Sequence, residues 1–363
     1  MARKIVHHPP CVVPRHSPLA TRHCLLVFLV TFLSSCGKAP EPLYQEQILA
    51  LGALIDITIW GVAPDAAQQA ADQIAEDFNH IHTTWHAWKP SPLTRLNAHL
   101  NDTVAYTPEA ELLPLLAQAK QLSLNSGNLF NPAIGKLVAA WGFQGDEPKD
   151  PPPDAKTVAA LVAAQPSMEQ VHLAGNSVQS SNPAVQLDLG AIGQGYAVDV
   201  AIAHLRKLGI HNAIVNASGD IRVIGKRGTR PWRIGIRDPR GPGIIASIEL
   251  QGDESIVTSG TYERYFDYQG KRYHHIIDPR SGYPARGTVS VTVVHNNATT
   301  ADAASTALLV AGPAQWQRVA RAMGIKQVML IDEQEIVHID PLLAKRIHFE
   351  TKTQPRMKIS APL

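Results

Sequence analysis

An α+β fold, one continuous unit of mixed and antiparallel sheet with flanking helices, is predicted by the order of elements along the chain. Strand-like segments crowd the second half, and helical periodicity interrupts them there only twice, so elements come in runs rather than in strict alternation. Composition agrees: 45% hydrophobic and 18% charged residues over 363 positions can bury one large core or two small ones.

Residues 1–35 read as a signal peptide. Arg3, Lys4, Arg15 and Arg22 supply its basic part, an apolar run spans Leu25 to Leu33, and no acid occurs before Cys36. The run is too short to cross a bilayer, which takes roughly 20 residues. Leu33-Ser34-Ser35-Cys36 resembles a bacterial lipobox, which makes Cys36 the expected lipidation site; the plainer reading is a secretory signal cleaved nearby. The expectation is an exported chain, lipid-anchored at Cys36 on the periplasmic face of a bacterial cell membrane. Cys11, Cys24 and Cys36 are the only cysteines, and processing removes the first two. No thiol then remains for a disulfide, a zinc site or a nucleophile, which suits an oxidising compartment. Taking the four N-terminal cations from the total of +2 leaves −2 on the body. A near-neutral body without a basic run offers no electrostatic footprint for nucleic acid.

Residues 36–46 are Pro-rich and polar and read as a tether, 47–350 as the folded domain, and 351–363 as a C-terminal tail. Gln47 to Trp60 alternates and reads as a strand. Ala70, Ile74, Phe78 and Ile81 fall at helical spacing within Ala66 to Ile81. A second helix is expected over Pro108 to Leu124, stopped by Asn125-Ser126-Gly127. Gln144 to Asp154, with four prolines, reads as a surface loop rather than a hinge between domains. Strands are expected at Val185 to Leu189, Ala213 to Asn216, Arg222 to Ile224, Trp232 to Ile236, Ala246 to Leu250, Tyr265 to Tyr268, Tyr273 to Ile277 and Val289 to Val294. The interrupting helices are Gly195 to Leu208 and Ala301 to Val310.

Three segments carry chemistry. In Leu187 to Asp199 a strand delivers Asp188, a Gly-rich turn follows, and a helix opens. Such a turn brings backbone and helix N–H groups close to a diphosphate, though it serves equally as a tight strand-to-helix connection. In Thr299 to Thr306, Asp302 and Thr306 lie four apart on one helix face. Two hard oxygens so placed suit Mg²⁺, while a capping arrangement explains the same residues. In His274 to Pro284 a strand runs into an Asp-Pro turn, placing imidazole and carboxylate in one short segment. That is a general base with its partner, or a capped turn with an incidental histidine. His80, His82 and His86 lack a carboxylate or cysteine to complete a zinc site.

Taken together and in this order, these segments resemble the ApbE family, the FAD:protein FMN transferases, over about Gln47 to Arg346. The matching patterns are Leu187 to Asp199, Asn216 to Asp220, Thr258 to Tyr262, His275 to Gly282 and Ala301 to Thr306. Weaker matches occur at Ser91 to Asn97 and Leu129 to Pro132. The resemblance implies the family's T-fold-related architecture and Mg²⁺-dependent transfer of the FMN half of FAD to a threonine or serine hydroxyl, releasing AMP. Acceptors would be flavoprotein subunits of quinone-reductase-type or other electron-transfer proteins. An FAD pyrophosphatase yielding FMN and AMP, and a non-enzymatic flavin-binding lipoprotein, are the rival expectations. By resemblance, Leu51, Leu129, Phe130, Asn131, Asp188, Gln194 and Ile277 would contact FAD. The Ala191 carbonyl with Asp302, Ser305 and Thr306 would form the metal site. His275 would be the general base, with Asp278 the alternative. This chain departs from the family at Leu51 (often Met), Asn131 (Asp) and Gln194 (Lys or Glu).

Overall fold

Leu51 and Gly52 both take positive φ, 53° and 69°, and fold the segment predicted as one strand into a hairpin. Its arms are β1 (Leu43–Ala50) and β2 (Ala53–Trp60), paired antiparallel with Ala50 opposite Ala53. Positive φ at both central residues matches strand twist, but a leucine at the first of them hides the turn in the sequence. β1 also begins inside the stretch read as tether. The structure, a computed structural model, describes residues 42–145, 151–250 and 252–363. The signal stretch, Cys36, the start of the tether and part of the predicted 144–154 loop lie outside them.

α1 (Pro64–Trp85) buries the expected stripe of Ala70, Ile74, Phe78 and Ile81. α2 (Pro92–Asn101) was not expected; its signal is the capping box of Ser91 and Thr94. α3 (Leu112–Asn125) ends where Asn125-Ser126-Gly127 predicts. α4 (Gly135–Ala140) and α5 (Ala155–Ala163) lead to the hairpin of β3 (Val171–Ala174) and β4 (Ser177–Ser180). Val185 to Leu189, predicted as a strand, is none. It makes the single bridge Gln186↔Ile134, and the Asn97 amide takes up both the N–H and the C=O of Leu187, at 2.7 and 2.9 Å. On its other edge Gln186 and Asp188 pair with the backbone of Pro132, Ala133 and Gly135, so a side chain and a short irregular backbone pairing stand in for a strand ladder.

α6 (Gly190–Lys207) starts before the expected Gly195. After it come β5 (Ala213–Ala217), β6 (Asp220–Gly225), β7 (Trp232–Arg237), β8 (Ile244–Leu250) and β9 (Gly252–Gly260). A short hairpin, β10 (Tyr265–Tyr268) with β11 (Lys271–His274), precedes β12 (Thr288–His295). β11 stops at His274, so His275 to Ile277 lie beyond the strand expected there. α7 (Ala298–Ala322) outruns its predicted end at Val310, passing a break at Gly312, φ 72°. β13 (Gln327–Asp332), β14 (Ile336–Ile339), α8 (Pro341–Ala344), β15 (Ile347–Phe349) and β16 (Arg356–Ile359) complete the order, so the predicted tail holds a strand.

Nine strands form one sheet in the order β1-β2-β5-β6-β9-β12-β13-β14-β16, antiparallel throughout except for β14 with β16. Alternation sorts the side chains onto its two faces. On β13, Val328 and Leu330 enter the core beneath α3 and α7, while Met329 and Ile331 face the small sheet β15-β8-β7. Ala213, Val215 and Ala217 of β5 pack with α1 and α6. α6 and α7 therefore share one face of the large sheet, and the site is built between them.

Candidate active site

Gly195 lets α6 and α7 touch. A Cβ on it would lie 2.5 Å from the Ala298 carbonyl oxygen and 2.8 Å from Asp302 Cβ, distances that no side chain tolerates. One turn further along α6, Asp199 caps α7. Its carboxylate accepts from Ala298 N (3.0 Å), Thr299 N (2.9 Å), Thr299 Oγ1 (2.6 Å) and the Asn297 amide, and it pairs with Arg222. The Gly195-Tyr196-Ala197-Val198-Asp199 pattern is thus a clasp: a close approach, Tyr196 against the Trp85 ring, then a helix cap.

The clasp brings four oxygen-bearing groups together. Ala191 takes non-helical dihedrals, φ −90° and ψ 18°, which tilt its carbonyl off the helix ladder. Gly195 N, four residues on, donates to Asp302 Oδ2 at 3.1 Å. Asp302 is 7% exposed and meets Asp220, 6% exposed, at the start of β6. Burial pushes both carboxyls above the usual carboxylate range; at Asp220 the neighbouring Asp302 adds to this, while at Asp302 the Gly195 N–H and the hydrogen bond with Asp220 oppose it. Asp220 Oδ2 has no hydrogen-bond partner among the described residues. Thr306 Oγ1 lies 3.3 Å from Ser259 Oγ on β9. Ser305, expected as a metal ligand, is fully buried, with its hydroxyl 2.7 Å from Ser259 Oγ and donating to the Asp302 carbonyl (2.9 Å). It braces the helix against β9. A buried all-oxygen set with two facing carboxyls and one bare oxygen is short of positive charge, and its donors fit Mg²⁺.

Asp188, two residues before α6, is held by Gly190 N–H at 2.8 Å, and burial raises its protonation against the pull of Arg264 and Trp88. Arg264 donates to the carbonyls of Phe143 (2.8 Å) and Gly145 (2.7 Å), while its own carbonyl faces His275 Nδ1 at 3.1 Å. A carbonyl oxygen can only accept, so Nδ1 carries the proton and Nε2 keeps its lone pair. Desolvation lowers the His275 imidazole to about 4, and the Arg264 charge adds to this. Arg264 therefore touches His275 through its carbonyl and acts on Asp188 through the charge of its guanidinium. Sequence reading missed Arg264 and Asp220 as site members; both stand within or beside matched motifs, but nothing in their spacing shows what they face.

The remaining expected residues separate into reachable and enclosed. Gln194 and Leu51 are half-buried, Leu51 at the β1–β2 turn. Leu129 and Phe130 (1% exposed) belong to the main core, which removes Phe130 as a ligand contact. Asn131 is occupied at both ends, donating to Pro166 O (2.9 Å) and accepting from Ala133 N (3.0 Å). Ile277 is buried beside Trp141 and Phe143. Asp278 is not poised as a base: its two oxygens accept from Arg280 at 2.8 and 2.9 Å and it shapes the turn. That turn ends at Gly282, whose φ is 74° and where a Cβ would fall 2.6 Å from methyl groups of Val158 and Val162. His80 pairs with Glu111 at 2.6 Å.

The ApbE family model matches residues 51–329. An FAD:protein FMN transferase of Rhodobacter capsulatus is 41% identical over 309 residues, covering 85% of this chain and 59% of that protein's length. The protein of the same description from Treponema pallidum is 34% identical, covering 79% of this chain and 84% of its own. The crystal structure of the ApbE protein of Thermotoga maritima superposes with a TM-score of 0.76 at 32% identity, over 86% of this chain and all of its own. The chain belongs to the ApbE family.

Proposed function

We propose that this chain is an FAD:protein FMN transferase that moves the FMN half of FAD onto a threonine or serine hydroxyl of an acceptor flavoprotein, with Mg²⁺ bound and AMP released. The family membership and the description of its relatives support the transfer. One observation carries the chemistry: His275 holds its proton at Nδ1 against a carbonyl and offers a neutral Nε2. Mg²⁺, when bound, neutralises charge on the diphosphate as the leaving group departs. The Ala191 carbonyl, Asp302 and Thr306 are the groups that would hold it. His275 Nε2 accepts the hydroxyl proton, so that oxygen can form its bond to the FMN-side phosphorus as the bond to the AMP oxygen breaks. Arg264 fixes the ring through its carbonyl, and Gly190 N–H holds the Asp188 carboxyl at the start of α6.

Incubating the mature domain with FAD, Mg²⁺ and a candidate acceptor, then weighing the acceptor, tests the reading. The expected outcome is an acceptor heavier by one phosphoester-linked FMN. FMN and AMP appearing with the acceptor unmodified would make the protein a pyrophosphatase instead. Export and lipidation at Cys36 belong to the same proposal. They rest on the lipobox-like Leu33-Ser34-Ser35-Cys36; among the described residues no helix is long and apolar enough to cross a membrane.

A further inference from the structure

Asp220 opens β6 directly after a tight turn in which Ser218 and Gly219 take positive φ, 52° and 108°. Gly219 N donates to Asn216 Oδ1 (2.9 Å), and Ala217 pairs with Asp220 across the hairpin, so the position of its backbone is fixed. The side chain is 6% exposed and reaches the Asp302 carboxyl. Asp220 and Asp302 form a close carboxyl pair, and Asp220 Oδ2 accepts no N–H or O–H from any other group among the described residues. The arginine nearest along the strand does not serve it: Arg222, two residues on, is committed to Asp199 and Asp253. A buried acceptor-only oxygen beside a second carboxylate is the environment a hard divalent cation relieves.

We propose that Asp220 is the second carboxylate of the divalent-cation site, with Oδ2 as its contact, and that the pair with Asp302 lets the cation bind before FAD. The inference rests on the reading that this pocket takes Mg²⁺. With Asp302 alone the site would bring a single carboxylate, and the cation would have to arrive on the substrate diphosphate. With Asp220 the protein supplies enough charge for the metal to precede the nucleotide.

The test is a titration of FAD-free protein with Mn²⁺, which shares the oxygen preference of Mg²⁺, reading free Mn²⁺ by electron paramagnetic resonance. The unaltered protein should take up one equivalent, Asp220→Asn should bind at least tenfold more weakly, and Asp302→Asn should bind least. Melting in EDTA provides a readout that a merely structural role would not share. Asp220→Asn should melt at or above the unaltered protein, because an amide relieves a crowded, buried carboxyl pair, and should lose the rise in melting temperature that Mg²⁺ confers. Asp220→Ser repeats the comparison should the asparagine variant fail to fold. Mn²⁺ affinity of Asp220→Asn within twofold of the unaltered protein would overturn the assignment. So would an unaltered protein that takes up no Mn²⁺ until FAD is added. Equal binding by Asp302→Asn and the unaltered protein would instead sink the Mg²⁺ reading of the pocket itself.

Discussion

His274 uses both ring nitrogens: Nε2 donates to the Ala285 carbonyl at 2.8 Å, and Nδ1 accepts from Ile276 N–H at 3.3 Å. Only the neutral ring can do both, and burial lowers its protonation to about 4. His275, next in the chain, is lowered to about 4 as well. The unfolded chain binds these protons near pH 6.5, and the fold refuses them until about pH 4. Stability is therefore lost as pH falls through that window. Urea midpoints at pH 7.5 and 5.0 should show a lower value at 5.0, and His274→Gln should shrink the difference. The sign for activity is the same but the position differs: Nε2 of His275 stays available down to about pH 5, so single-turnover transfer should hold its plateau there. His275→Gln should slow acceptor labelling by about 10²–10⁴-fold with FAD affinity, read from flavin fluorescence quenching, little changed. Labelling at the unaltered rate would move the base elsewhere, and the commitment of Asp278 to Arg280 makes Asp278 a poor heir. The shared helix face of Asp302 and Thr306 was legible from their four-residue spacing, and the turn after His275 from its Asp-Pro-Arg-Ser-Gly run; the roles given to these residues are those of the proposal. Asp220 and Arg264 were not, because each acquires meaning from a group across the fold that spacing along the chain does not encode.

Between α6 and α7 the decisive quantities are one missing methyl group and one carboxylate. Gly195→Ala should force the helices apart against Ala298 and Asp302, costing about 1–3 kcal/mol of stability and weakening the Mg²⁺ dependence of turnover. A variant with unchanged melting and unchanged Mg²⁺ response would mean that the helices have slack. Asp199→Ala leaves the N–H groups of Ala298 and Thr299 and the Arg222 guanidinium without their acceptor. That should cost about 3 kcal/mol or more, measured by urea unfolding, and Asp199→Asn should recover part of it. Among the elements, α1 and strands β5, β7 and β8 were readable from periodicity, since each presents one regular face to a core. The β1–β2 turn was not, because Leu51 occupies a conformation usually left to glycine or asparagine. Val185 to Leu189 misled because its apolar pattern is real burial, while its backbone is satisfied by the Asn97 side chain and by the irregular segment at Pro132 to Gly135 rather than by a regular strand.

Across the whole molecule the α+β class followed from runs of elements, but the strand order did not. β9 lies between β6 and β12, separated from β6 in sequence by β7 and β8, which join β15 in a second sheet. Such pairing is chosen by which faces bury together, a long-range property that local pattern leaves open. The anchor can be tested on the entire chain: Cys36→Ser should abolish incorporation of labelled lipid and leave an unprocessed precursor. Lipidation of that variant would misplace the anchor. The Gly195–Asp302 hydrogen bond spans 107 residues of chain. At a synthesis rate of about 5–20 residues per second, the α6 half of the pocket precedes the α7 half by about 5–20 s. During that interval α6 has no α7 to close upon, so the contacts of Gly195 and Asp199 with it cannot form. A chain cut before Asp302 lacks nearly all of α7, and should be digested by protease at α6 where the entire chain resists.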